Sequence, residues 1–289
     1  MRRASRTPGA VLAFACAALL AAGCGERSEP TGAHVALFPV TVDNPRGGSQ
    51  ITLEQGPDRI AVVDEEGLRI LRALGVKARL AADVHGNPKR RLLARLRPQL
   101  VVGGPSNDPL RLRGLGTSTP VYVADGGSIA GVEQSIVELA RLTGHPVRGR
   151  MLVRRIERVR AQVADRRHGK AVPSVFLDLG LFTTVGASSL LGELIAAAGG
   201  RDVVGSSVDR APVSPSSLAD LDPDVYLAST DSGTTLDALR ADDATKELRP
   251  VRSGRFALVP ARLLQAGPGL DRTILQLEAA IHAQSSAGG

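Results

Sequence analysis

The sequence predicts an α/β protein of two lobes, each built on a parallel sheet, joined by one long rigid helix. Three observations predict it. Short runs rich in β-branched residues alternate with helical runs over the first half of the chain, and the alternation restarts at Ser174. Between the two blocks, Leu152, Ile156, Val159 and Val163 step by 4, 3 and 4, which places them on one stripe of a long helix. The chain has 289 residues, 43% of them hydrophobic and 22% charged. That is apolar material for one large domain or two small lobes, and it excludes collagen-like, fibrous and disordered chains. Only one apolar stretch, near the N-terminus, approaches membrane length, so a multi-span membrane protein is excluded as well.

The elements follow in order. Residues 36–43 and 50–54 flank Asn44-Pro45-Arg46-Gly47-Gly48 and read as a hairpin. Ile60 to Val63 form a short buried strand. Leu68, Leu71 and Leu74 then recur at helical spacing and stop at Gly75. Residues 79–84 make a second strand, Leu92, Leu93 and Leu96 a short helix ending before Pro98, and Leu100 to Val102 a third strand with Gly103-Gly104 behind it. Val121 to Val123 form a fourth, followed by a helix over 128–142. The long helix begins after Pro146. Arg148, Arg150, Arg154, Arg155, Arg158 and Arg160 occupy much of its remaining surface. They read as the solvated face of an amphipathic helix, an anion-binding face being the functional alternative. The second block has strands at 174–179, 225–228 and 256–259 and helices at 188–198 and 270–283. Strands alternating with helices mean βαβ units and parallel sheets, hence two Rossmann-like lobes. The expected organisation is 1–23 signal peptide, 24–32 tether, 33–145 N-terminal lobe, 146–169 linking helix and 170–289 C-terminal lobe.

The first residues read as an address. Arg2, Arg3 and Arg6 make a positive start, residues 11–22 an apolar core, and Gly23-Cys24 a small-residue cut site. Leu20-Ala21-Ala22-Gly23-Cys24 resembles a bacterial lipobox, with Ala21 where Leu is commonest. That resemblance implies that Cys24 becomes the lipidated first residue of the mature chain. Cysteine arithmetic agrees: Cys16 leaves with the signal, and Cys24 alone forms no internal disulfide. Residues 26–32 are polar and contain Pro and Gly, which suits a flexible tether. The expected location is the extracytoplasmic face of the cell membrane, held by lipid.

The formal charge is +7, and removing Arg2, Arg3 and Arg6 leaves +4. Of 36 basic residues only Lys77, Lys89, Lys170 and Lys246 are lysines. An excess of Arg over Lys is also what GC-rich coding produces, so no nucleic-acid partner is expected. Aromatics are scarce, with 5 Phe, 2 Tyr and no Trp, so any pocket works with little stacking surface.

Several local motifs, in order along nearly the whole mature chain, resemble the substrate-binding lipoproteins of bacterial ABC importers, in the group that handles ferric siderophores, haem and cobalamin. They are Phe38-Pro39-Val40-Thr41-Val42 with Pro57-Asp58-Arg59-Ile60, then Arg69-Ile70-Leu71-Arg72-Ala73-Leu74-Gly75, then Leu96-Arg97-Pro98-Gln99-Leu100-Val101. In the second half they are Gly186 with Gly192-Glu193-Leu194-Ile195 and Ala198-Gly199-Gly200, Leu221-Asp222-Pro223-Asp224-Val225, Val251-Arg252-Ser253-Gly254-Arg255 and Gly267-Pro268-Gly269. The resemblance implies a monomeric receptor without catalytic residues or cofactor. It holds a small molecule, such as a ferric siderophore or a similar iron or corrinoid ligand, between its lobes and passes it to a permease. The family also carries a Glu near Arg69, and an exposed Glu on each lobe that meets the permease; the latter positions hold Arg91 and Ser216 here.

In open α/β sheets ligands bind beyond the carboxyl ends of the strands. The first lobe then offers Asp64, Glu65, Glu66, His85, Asn87, Ser106, Asn107, Asp108 and Asp125. The second offers Phe182, Thr183, Thr184, Thr230, Asp231, Ser232, Arg262 and Gln265. His85 is the one candidate metal ligand. A sister group that binds Mn or Zn has a His in a similar place, which makes a metal-ion receptor one alternative. His145, His168 and His282 form no evident ligand set with it. A degenerate α/β hydrolase is the second alternative, although Gly186-Ala187-Ser188-Ser189-Leu190 lacks the second Gly of a nucleophile elbow.

Overall fold

The computed structural model describes residues 37–44, 46, 48–81, 89–104, 107, 112, 119–205 and 210–283. Cys24, His85, Asn87, Ser106 and Asp108 lie outside them. A short antiparallel hairpin comes first: β1 (Val40–Val42) pairs with β2 (Ile51–Leu53), each burying its two outer residues.

The first sheet is built from β3 (Ile60–Val62), β4 (Arg79–Leu80), β5 (Leu100–Gly103) and β6 (Val121–Val123), in the order β4-β3-β5-β6 with every pair parallel. The central strands are buried on both faces, which explains their unbroken apolar runs. Between them run α1 (Glu65–Leu74) and α2 (Arg90–Leu96), and α3 (Ile129–Leu142) follows β6. Asp64 caps α1 by accepting the Glu66 and Gly67 amides, and Ser128 caps α3 through the Gly131 amide. Gly75 ends α1 at φ 80°, a conformation that favours glycine.

The second sheet repeats this plan. It contains β7 (Ser174–Asp178), β9 (Arg201–Asp202), β11 (Val225–Ser229) and β12 (Phe256–Val259), in the order β12-β11-β7-β9 and again all parallel. Counted from the first strand of each sheet, both orders are second-first-third-fourth. A small antiparallel pair, β8 (Thr183–Thr184) with β10 (Ala211–Pro212), sits beside it. Its helices are α5 (Leu190–Ala197), α6 (Pro215–Leu221), α7 (Leu236–Ala241), α8 (Arg249–Arg252) and α9 (Leu270–His282). The sequence reading missed α6 and α7, although Ser214 with Pro215, and Thr235, are cap signals; both helices are one to two turns long.

The two sheets are bridged by α4 (Pro146–Arg167), which packs on α3 and α9. Ile156, Val159 and Val163 are buried as the stripe requires, and Leu152 is half-buried. One apolar cluster runs from Val62 and Leu71 through Ile136 and Ile156 to Leu194 and Ile281, so the helix is a spine through a shared core. Its arginines are not all solvated. Arg155 pairs with Asp271 at 2.5 Å, Arg160 lies 3.8 Å from Glu133, and Arg166 and Arg167 both bond Glu278. Gly149 lets the spine approach α3 closely: a Cβ there would sit 2.4 Å from that of Ala140. Among the described residues no helix is long and apolar enough to cross a membrane.

Candidate functional site

The residues beyond the strand ends differ between the lobes. In the first, three carboxylates converge. Asp64 follows β3, Glu66 lies in the first turn of α1, and Asp125 follows β6. Each is seated against a glycine. A Cβ on Gly104 would fall 2.2 Å from the Asp64 carboxyl carbon, one on Gly126 2.2 Å from Glu66 Oε2, and one on Gly131 2.7 Å from the Asp125 carboxyl. Asp125 is partly exposed, pairs with Arg46 at 2.9 Å and accepts the Gly127 amide. Glu66 is only 5% exposed, and its Oε1 has no hydrogen-bond partner. Burial pushes its carboxyl up to about 7, with Asp64 and Asp125 adding to the effect and Arg69 and Arg46 opposing it. Glu65 is exposed, and Asn107 closes the turn after β5 by accepting the Gly104 amide.

The second lobe presents mostly hydroxyls, with Asp231 as the one acid among its candidates. Thr230 Oγ1 accepts the Ala261 amide and so ties the end of β11 to the loop after β12. Asp231 is exposed, Ser232 accepts the Thr234 amide, and Arg262 and Gln265 are exposed on that next loop. Thr183 is half-buried in β8, while Thr184 is fully buried with an unpartnered hydroxyl. Phe182 packs on the cluster around Phe176, Leu218 and Tyr226, so much of its ring is occupied by the lobe's own core.

The sequence reading missed Asp178. It ends β7, is fully buried, and accepts from the Tyr226 hydroxyl (3.0 Å), the Thr234 hydroxyl (2.6 Å) and the Gly180 amide (2.8 Å). An acid closing an apolar strand was the available signal. Both tyrosines are thereby accounted for: Tyr226 bonds Asp178, Tyr122 bonds Glu138, and burial raises both phenols above their ordinary pKa. Among the described residues no three His, Cys, Asp or Glu side chains cluster so as to hold a metal ion.

The lobes meet through segments that leave the carboxyl ends of their strands. Arg69 of α1 donates twice to the Ala266 carbonyl, at 2.9 and 3.2 Å, and Gly267 packs beside its side chain. The Ile129 amide at the start of α3 donates to Glu193 of α5 at 2.7 Å. A cavity of about 680 Å³ adjoins this second contact, lined by Glu157, Arg160, Ala197 and Gly199 among others. Replacing Arg69 with Ala should lower stability by about 1–2 kcal/mol by removing the charge-assisted bonds to Ala266. Chemical denaturation checks the loss, and faster hydrogen exchange in the loop around Ala266 checks its location.

Matched parallel sheets with a helical spine between them define a two-lobed α/β protein. A family model described as periplasmic binding protein matches residues 85–263. The chain belongs to that family, the solute-binding proteins of ABC importers. Solved structures agree in fold. The periplasmic haem-binding protein RhuT from Roseiflexus sp. RS-1 is 22% identical, with 78% of this chain and 98% of that one covered and a TM-score of 0.65. The periplasmic vitamin B12 binding protein BtuF of Vibrio cholerae is 19% identical over 78% and 96%, with a TM-score of 0.65. The molybdate periplasmic binding protein MolA of Haemophilus influenzae is 15% identical over 84% and 91%, with a TM-score of 0.70. No protein of curated function matches the chain.

Proposed function

We propose that the protein is a lipid-anchored receptor that captures a ferric siderophore between its lobes and hands it to an ABC permease. Residues 1–23 leave as signal peptide, Cys24 is acylated, and the lobes flank the linking helix at 146–169. The observation that carries the ligand class is the pairing of an acid-lined first lobe with a hydroxyl-lined second lobe, while both tyrosines are buried. A haem or corrin ring gains much of its affinity from stacking and from an axial ligand. Neither phenol is free to serve here. A neutral or cationic ferric chelate rich in hydrogen-bond donors, of the trishydroxamate type, suits Asp64, Glu65, Asp125, Thr230 and Ser232. An anionic catecholate chelate is repelled by the same acids.

Native mass spectrometry of the purified protein with a ferric trishydroxamate, a ferric triscatecholate, haem and Mn or Zn salts tests the reading. The expected result is a one-to-one adduct with the trishydroxamate and a raised Tm. Binding of haem alone, or stabilisation by the divalent metal alone, overturns it. A Cys24→Ala variant should be released from the membrane by a high-salt wash that leaves the acylated protein in place, because the lipid is lost with the thiol and only salt-sensitive contacts remain. Retention of that variant after the wash overturns the anchor.

A further inference from the structure

The outer face of α4 has a composition that solute capture does not use. At 100° per residue, Val147, Arg150, Met151, Arg154 and Arg158 fall within about 100° of arc, opposite the buried stripe. Val147 and Met151 are 61% and 66% exposed, on a helix whose other large apolar residues are buried or half-buried. Arg150, Arg154 and Arg158 are exposed, and none has an acidic partner among the described residues, unlike Arg155, Arg160, Arg166 and Arg167 of the same helix. The first turn of α4 contains no acid to offset the positive end of the helix dipole. Glu157 borders the face, and Asp165 lies on it near the helix C-terminus, so the charge surplus belongs to its N-terminal two-thirds.

A second observation comes from where the chain enters the fold. The compact unit begins at Leu37, which is 48% exposed. Its side chain lies against Gly144, two residues before α4: a Cβ on Gly144 would be 3.8 Å from Leu37 Cδ1. The thirteen residues from Cys24 to this point reach at most roughly 45 Å when fully extended. The described chain thus begins beside the start of the arginine face, where Leu37, Val147 and Met151 are exposed.

We propose that this face of α4 lies on an anionic lipid bilayer, its arginines on phosphate headgroups and Val147, Met151 and Leu37 at the headgroup–acyl boundary. Arginine pairs with phosphate through its planar fork, and interspersed aliphatic side chains enter the interface at little cost. The acylated Cys24 of the proposed function delivers the face to the surface, and the proposal rests on that reading only for delivery. The contact chemistry belongs to α4 itself.

The test uses the chain without residues 1–23 and with Cys24→Ala, which carries no acyl group, so a failure here speaks only of the helix face. Acylation is read separately, from the mass of the native protein. Co-sedimentation with vesicles of mixed phosphatidylglycerol and phosphatidylcholine is expected, weakening as salt rises, with no binding to phosphatidylcholine alone. The triple variant Arg150→Glu, Arg154→Glu, Arg158→Glu should lower the partition coefficient at least about 100-fold at unchanged Tm. Met151→Asp should lower it several-fold. The triple variant Arg90→Glu, Arg91→Glu, Arg95→Glu makes the same charge change on the exposed face of α2 and should keep most of the binding. Equal loss from the α2 variant, no loss from the α4 variant, or equal binding to neutral vesicles overturns the proposal. So does retention on a soluble polyanion such as heparin without vesicle binding, which would assign the face to a different class of partner.

Discussion

Replacing Glu66 with Gln is expected to stabilise the protein at pH 8 by about 3 kcal/mol and to leave it unchanged at pH 4. Glu66 is buried with an unpartnered Oε1, and burial raises its carboxyl from 4.5 to about 7 in the folded chain. The sign follows from proton binding. Below pH 4.5 the group is protonated in both states and contributes no difference. Between 4.5 and 7 the unfolded chain has released the proton while the folded chain still holds it. Stability therefore falls as pH rises through that window, and the full cost is present above it. Gln keeps the shape and cannot ionise, so the slope disappears. Denaturant titrations of both proteins from pH 4 to pH 8 check this. Parallel curves would mean that Glu66 ionises freely in the fold. Its neighbours set the balance: Asp64 and Asp125 raise the cost of a third charge, and Arg69 and Arg46 lower it. A cationic chelate bound beside them would favour the ionised form, so ligand binding should release a proton near neutral pH.

The second large effect is expected at Asp178. Asp178→Ala removes the acceptor for the Tyr226 hydroxyl, the Thr234 hydroxyl and the Gly180 amide at a fully buried position. Hydrogen bonds to a charged acceptor, together with the desolvation of the donors left behind, put the loss at about 4 kcal/mol. Tyr226→Phe removes one of these bonds without stranding a donor and should cost about 1.5 kcal/mol. Because both act through one carboxylate, the double variant should lose less than the sum. Thr234 also fixes the turn that carries Thr230, Asp231 and Ser232, so Asp178→Ala should weaken ligand binding more than Tyr226→Phe does. Calorimetric titration with the ferric trishydroxamate separates the two effects. An Asp178→Ala protein of wild-type stability would show that water takes the place of the carboxylate.

The elements were legible where periodicity is long or the apolar run is bounded. The helix expected at 128–142 is Ile129–Leu142 with Ser128 as its cap, and the strand expected at 256–259 is Phe256–Val259. The stripe Ile156, Val159, Val163 announced the spine, because only one face of a helix spanning two lobes can be buried. What escaped is short or depends on tertiary placement. The two-residue strands Thr183–Thr184 and Ala211–Pro212 exist only because each pairs with the other. The rule that ligands meet strand ends picked out Asp64, Glu66, Asp125 and Thr230. It gave no sign that Glu66 is buried, that Phe182 serves the core, or that three glycines seat three carboxylates, since burial and cross-chain packing leave no local trace. Arg69, set against the Glu of the family pattern, finds its reason in the Ala266 carbonyl of the other lobe.

A core that continues through the spine from one sheet to the other has a consequence for how a receptor of this build tells a transporter that it is loaded. Large swings of one half against the other would tear apolar contacts that run without a break from Leu71 to Ile281. On the proposed reading, little entropy would remain to be lost on capture, and affinity would come from preorganised groups rather than from closure. The occupied and vacant forms then share nearly one outline. Whatever docks on the receptor must sense the passenger itself, or the altered mobility and charge of the loops around it.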